Sequence, residues 1–208
     1  MRAFDIGWFS AVILVPFACQ IPAAFGEPLT FHFSGEVRFI NQSIDLGASV
    51  YVGAPFSGGY TFDPTGATDS YPDDPRTGNY YFGPPAHLWA QIGNYEFVTP
   101  NLIMFIGDDW LSGDIYEPIS VTPFTAAGLQ WTIMNILLGD ESRTALDSDA
   151  LPLDVPDLAD FPDASSLRLY LPGDVVGIRC QITSLTPEPG SLSLLALCSA
   201  LVIRRRHR

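Results

Sequence analysis

A chain of 208 residues is long enough for one folded domain with accessory ends. Between Glu27 and Thr186 it carries 21 carboxylates against five arginines, a net charge of −16, with no lysine anywhere. Such a body repels phosphate backbones and anionic lipid headgroups, which counts against a nucleic-acid partner.

The first predicted element is a leader. Arg2 and the free amine precede an apolar stretch from Ile6 to about Ala18, and small residues follow, which is the layout of a secretory signal peptide spanning 1–26. The stretch is short for a membrane span and is interrupted by Pro16 and followed by Pro22. Cleavage between Gly26 and Glu27, after Ala24-Phe25-Gly26, would satisfy a signal peptidase. Cys19 would be a lipid attachment point, but Pro16-Phe17-Ala18 before it is a poor lipobox.

From residue 27 to 186 the pattern has the period of strands. LTFHFSGEVRFI alternates Leu29, Phe31 and Phe33 on one face, and after Ser34-Gly35 the alternation resumes with Val37 and Phe39. Further runs follow at ASVYV, GGYTF, NYYF, HLWAQI, NYEFV, LIMFI, DIYEPISV, LQWTIMNILL, SLRLY and VVGIRCQITSL, many of them bounded by Gly, Asp, Pro or Asn. The expectation is a mostly β fold, an antiparallel β-sandwich or jelly-roll-like body, with an N-terminal signal helix and a short C-terminal transmembrane helix. LQWTIMNILL reads as a strand because of Trp131, Ile133 and the β-branched residues around them. Cys180, the single cysteine of the body, cannot form an internal disulfide there and reads as a small buried hydrophobe.

Two loops interrupt this pattern. Residues 63–79 place Asp63, Asp69, Asp73 and Asp74 between strands, and calcium is the cation such clustered loop oxygens would take, although the spacing is not that of an EF-hand. Residues 139–163 are crowded with carboxylates and hold three prolines, so they read as an irregular surface excursion. His32 and His87 lie in strand-like runs and read as structural, and no nucleophile elbow, zinc-protease helix or phosphate-binding loop is present. Adjacent pairs such as Asp108-Asp109 carry little information in so acidic a chain. Tyr80, Tyr81, Trp89 and Trp110 are the aromatic side chains that would stack on sugars if exposed, and core residues otherwise.

The chain ends in TPEPGSLSLLALCSALVIRRRHR. Its apolar run from Gly190 to Ile203 would reach about 21 Å as a helix, short against a hydrocarbon core of about 30 Å. Arg204, Arg205, Arg206 and Arg208 suit the helix C-terminus and a cytoplasmic position. Pro187 and Pro189 hold Thr186–Glu188 extended and exposed.

Pro187-Glu188-Pro189, the short apolar segment and the terminal arginines together resemble the PEP-CTERM sorting signal of exopolysaccharide-producing Gram-negative bacteria, over residues 187–208. The fragments GGYTFDPTGATDS and DALPLDVPDL are similar to bodies that carry such tails. The resemblance implies recognition by a membrane-embedded exosortase, transient or retained insertion of the helix in the inner membrane, and delivery of the body to the cell envelope or extracellular space. The resulting expectation is an exported, non-enzymatic protein with a structural or polysaccharide-binding role. The competing expectations are a secreted carbohydrate-active hydrolase and a stably anchored surface protein.

Overall fold

The computed structural model describes residues 28–188 apart from Ser112. The expected signal segment with Gly26 and Glu27, the expected C-terminal helix, Pro189 and the terminal arginines lie outside the described residues.

Twelve strands account for most of the body: β1 (Leu29–Ile40), β2 (Pro55–Phe62), β3 (Thr77–Phe82), β4 (His87–Ile92), β5 (Tyr95–Thr99), β6 (Leu102–Trp110), β7 (Gly113–Ser120), β8 (Phe124–Ala126), β9 (Leu129–Trp131), β10 (Ile133–Asp140), β11 (Ala164–Leu171) and β12 (Val175–Pro187). Among the described residues the helical content is one 3-10 turn, Leu158–Asp160, and no helix is long and apolar enough to cross a membrane. Ten strands form a single sheet in the order β3-β6-β7-β10-β11-β12-β1-β2-β4-β5, while β8 and β9 make a separate hairpin. The pairings are antiparallel.

The sheet is strongly curled. β2 and β7 stand five places apart, so a flat sheet with strands about 4.8 Å apart would separate them by about 24 Å. Instead the hydroxyls of Tyr60 on β2 and Tyr116 on β7 lie 2.7 Å apart, in a hydrogen bond between fully buried side chains. Phe62 of β2 likewise meets Phe82 of the edge strand β3, with ring centroids 5.0 Å apart. The sheet therefore closes over its own inner face and buries one core.

The period-two alternation decides which residues enter that core. Leu88, Ala90 and Ile92 of β4 are buried while His87, Trp89 and Gln91 face outward. The same rule selects Leu102, Met104 and Ile106 on β6, Met134, Ile136 and Leu138 on β10, and Ile178, Cys180 and Ile182 on β12. Burying each large aliphatic side chain contributes about 1.5–3 kcal/mol. Burial also pushes the Cys180 thiol up to about 12, which keeps it an inert hydrophobe.

The β8–β9 hairpin plugs one end. Ala127 and Gly128 both have positive φ (54° and 73°), as a tight two-residue turn between twisted strands requires. The turn sets Trp131 against Phe97 of β5, centroids 5.4 Å apart, and lets the fully buried indole donate to the Ala126 carbonyl at 3.1 Å.

Three local expectations are corrected. ASVYV is not a strand: turns occupy Ala48-Ser49 and Val52-Gly53, and Tyr51 and Val52 are exposed. Gly47 and Gly53 take positive φ on either side, and the Ala54 amide closes a turn onto the Tyr51 carbonyl. LQWTIMNILL is two strands, broken at Thr132, whose amide and hydroxyl turn to the carbonyls of Tyr170 and Leu171. Phe39 leaves the core face because the β1–β12 register shifts between Val37 and Phe39. Arg38 is the extra residue of this bulge, and both Arg38 and Phe39 face out.

Candidate functional site

The end of β12 presents Pro187, the first half of the proline bracket formed by Pro187 and Pro189 around Glu188. Pro187 is the last residue of the strand, opposite Phe31 of β1, and Thr186, Pro187 and Glu188 are all exposed. Glu188 remains attached through its amide, which donates to the Thr30 carbonyl at 2.9 Å. The segment is thus extended and open on its outer side.

The aspartates of the 63–79 loop are each engaged locally or not at all. Asp63 accepts from the Thr65 amide, Asp69 from the amides of Tyr71 and Asn79, and Asp74 from the amide and guanidinium of Arg76. The Arg76 hydrogen bond holds the Asp74 carboxyl below the usual carboxylate range. Asp73 is exposed and makes no hydrogen bond among the described residues. No three His, Cys, Asp or Glu side chains gather as a metal-ligating group among the described residues.

The carboxylates that the fold encloses are different ones. Asp114 on β7 is fully buried and accepts from the amides of Asp109, Ala145 and Leu146 at 2.9–3.0 Å. Asp140 at the end of β10 accepts from the amides and hydroxyls of Ser142 and Thr144, and these bonds, led by the Thr144 amide, lower its carboxyl to about 2. Asp108 sits nearby with its carboxyl raised, first by partial desolvation and then by Asp114, Asp109, Asp147 and Asp149. Sequence reasoning passed over Asp114 because a carboxylate inside DIYEPISV gives no local sign that remote amides will surround it.

The aromatic candidates separate. Tyr80 donates its hydroxyl to the Asp149 carbonyl, Tyr81 projects from the edge strand β3, and Trp110 packs edge-on against Phe105. Trp89 is the one placed in a recess: with His87, Glu96 and Val98 it lines a shallow groove of about 250 Å³ on the outer face of β4 and β5. Gly59 of β2 lies directly across from Trp89, and a Cβ there would come within 3.0 Å of the indole nitrogen and 3.3 Å of His32. The glycine lets the indole lean over β2 toward His32, whose ring it meets edge-on at 6.3 Å.

Family models, curated proteins and solved structures return no match to this chain.

Of the two histidines, His87 lines this groove and His32 lies beyond Trp89 on β1. His32 stands beside Trp89, and the His87 ring nitrogen lies 3.0 Å from the Pro85 carbonyl. An indole face with an imidazole and the Glu96 carboxylate at its margin is suited to stack on a sugar ring and hydrogen-bond its hydroxyls.

Proposed function

We propose that this chain is an exported protein whose PEP-CTERM-like tail directs it, through an exosortase, to the cell envelope or extracellular matrix. There a β-sandwich or jelly-roll-like body serves without catalysis, in a structural or polysaccharide-binding role. The observation that carries the reading is the exit of β12: Thr186–Glu188 is extended and exposed where a processing enzyme needs to bind. Cutting just beyond Pro187 would cost the sheet one backbone hydrogen bond, from Glu188 to Thr30, and leave the other β1–β12 pairs in place. The acidity of the body supports an extracellular, soluble existence, and the Trp89 groove supplies a face on which sugar rings can stack.

Mass spectrometry of the protein from cells with and without the exosortase tests the sorting reading. The expected result is a C-terminus trimmed near Pro187 only where the enzyme is present; an identical full-length C-terminus in both strains would sink it. Trp89→Ala tests the binding role, with loss of retention on matrix polysaccharide expected at an unchanged melting temperature.

A further inference from the structure

The body holds only five arginines among its 21 carboxylates, yet three of them meet on one surface. Arg38 on β1, Arg168 on β11 and Arg179 on β12 line a groove of about 410 Å³ on the outer face of the sheet, together with Ser165, Ser166 and Gln181. Arg168 and Arg179 are direct cross-strand partners, an arrangement in which like charges repel. Among the described residues neither has a carboxylate within ion-pair distance. Arg38 faces the groove by the normal alternation of β1, and its own partner, Glu36, is an exposed carboxylate 3.5 Å away.

The other acidic groups nearby are otherwise engaged. Asp163, at the groove's margin, accepts from the Glu141 amide at 2.7 Å. The carboxyl of Glu117 on β7 is raised by burial, and this is offset in part by the hydrogen bond from Asn135 and by the charge of Arg168, which acts on it from beyond ion-pair distance. Arg168 donates its Nε to the Ser166 hydroxyl at 3.2 Å, which leaves its terminal nitrogens and the fork of Arg179 to an outside oxyanion, whose geometry they suit.

The surroundings narrow the choice of ligand. A field of −16 over the body opposes a polyanion as dense as a nucleic acid, whereas the sparser charge of one carboxylate per sugar ring meets mainly the local arginines. The Trp89 groove lies on the same outer face: His32, which borders Trp89, is six residues before Arg38 on β1, or about 20 Å at 3.3 Å per residue. Between them the face carries Ser34, Ser57 and Gly59, and also Glu36, whose charge is offset by Arg38. We propose that an acidic oligosaccharide lies along this face, its uronate carboxylates held by Arg38, Arg168 and Arg179 and a sugar ring stacked on Trp89. This assignment rests on the polysaccharide-binding reading and specifies its ligand as anionic.

The test measures binding by the full-length protein in detergent to a galacturonate oligomer, a neutral oligosaccharide of equal length and inorganic sulfate. Arg168→Gln and Arg179→Gln are each expected to weaken galacturonate binding by roughly tenfold and to leave the neutral oligomer unaffected. Glu36→Gln, which frees Arg38, is expected to strengthen it. Arg168→Lys keeps the charge without the fork and should fall between wild type and Arg168→Gln, while circular dichroism and melting temperature confirm that each variant is folded. Unchanged galacturonate affinity in the folded Arg168→Gln/Arg179→Gln double variant overturns the proposal, as does sulfate binding as tightly as the oligomer. If the neutral oligomer still binds through Trp89 in that case, the polysaccharide role survives without the arginine site; if folded wild type binds no saccharide, both fail.

Discussion

Two acidic regions of the molecule behave in opposite ways. In the 63–79 loop the carboxylates are spread along exposed turns, and those of Asp63 and Asp74 serve amides two residues ahead. Around the start of the 139–163 excursion, Asp114 and Asp140 are enclosed, and between them they take up amides from 109 to 146. The density of acidic residues does not distinguish the two regions; burial does. An enclosed carboxylate that gathers several amides fixes a loop to the sheet, because the alternative is several unsatisfied backbone donors. A carboxylate on an exposed turn replaces a water molecule and changes little.

The contrast is broken most directly by Asp114→Ala. It removes the acceptor for three amides inside the fold, and a loss of about 3 kcal/mol in urea denaturation is expected. Next comes Asp140→Asn, read through pH. A carboxyl lowered in the folded state stabilises fully above its unfolded value near 3.9, and that contribution disappears as pH falls through about 2. The stability gap between wild type and Asp140→Asn should therefore be widest above about pH 4 and close toward pH 2; a gap independent of pH over that range would show that the carboxylate charge is irrelevant. Asp69→Ala, which gives up two amides at a half-buried position, should cost about 1 kcal/mol in the same denaturation. Asp73→Asn is the smallest case, with a change within about 0.5 kcal/mol. Thermal scans with millimolar calcium sharpen the comparison further: a rise in melting temperature that Asp73→Asn abolishes would mean that an ion draws the exposed carboxylates into a single site.

Much of the β pattern is readable locally. β1 and β4 coincide with LTFHFSGEVRFI and HLWAQI, because alternation and flanking turn residues are written within a few positions. The errors arise where a distant partner decides. Phe39 has the spacing of a core residue and loses it to a bulge set by β12, some 140 residues later in the chain. Residues 48–52 carry strand-forming side chains, but Gly53 donates to Val37 and Ala54 to Tyr51, so the segment turns before it can pair. β8 is three residues long and carries too little alternation to be noticed alone.

The candidate surfaces divide along the same line. Trp89 was recognisable as an aromatic in a strand, but its recess depends on Gly59 of another strand. The arginine groove had no sign at all in the sequence, since Arg38 and Arg168 are 130 positions apart. By itself the sequence determined the charge of the body, the strand period and the chemistry of the tail, all properties of neighbouring residues. Only the tertiary structure decided which carboxylates are enclosed, where the proline bracket leaves the sheet and which arginines share a groove, because register and curl depend on pairings between remote strands.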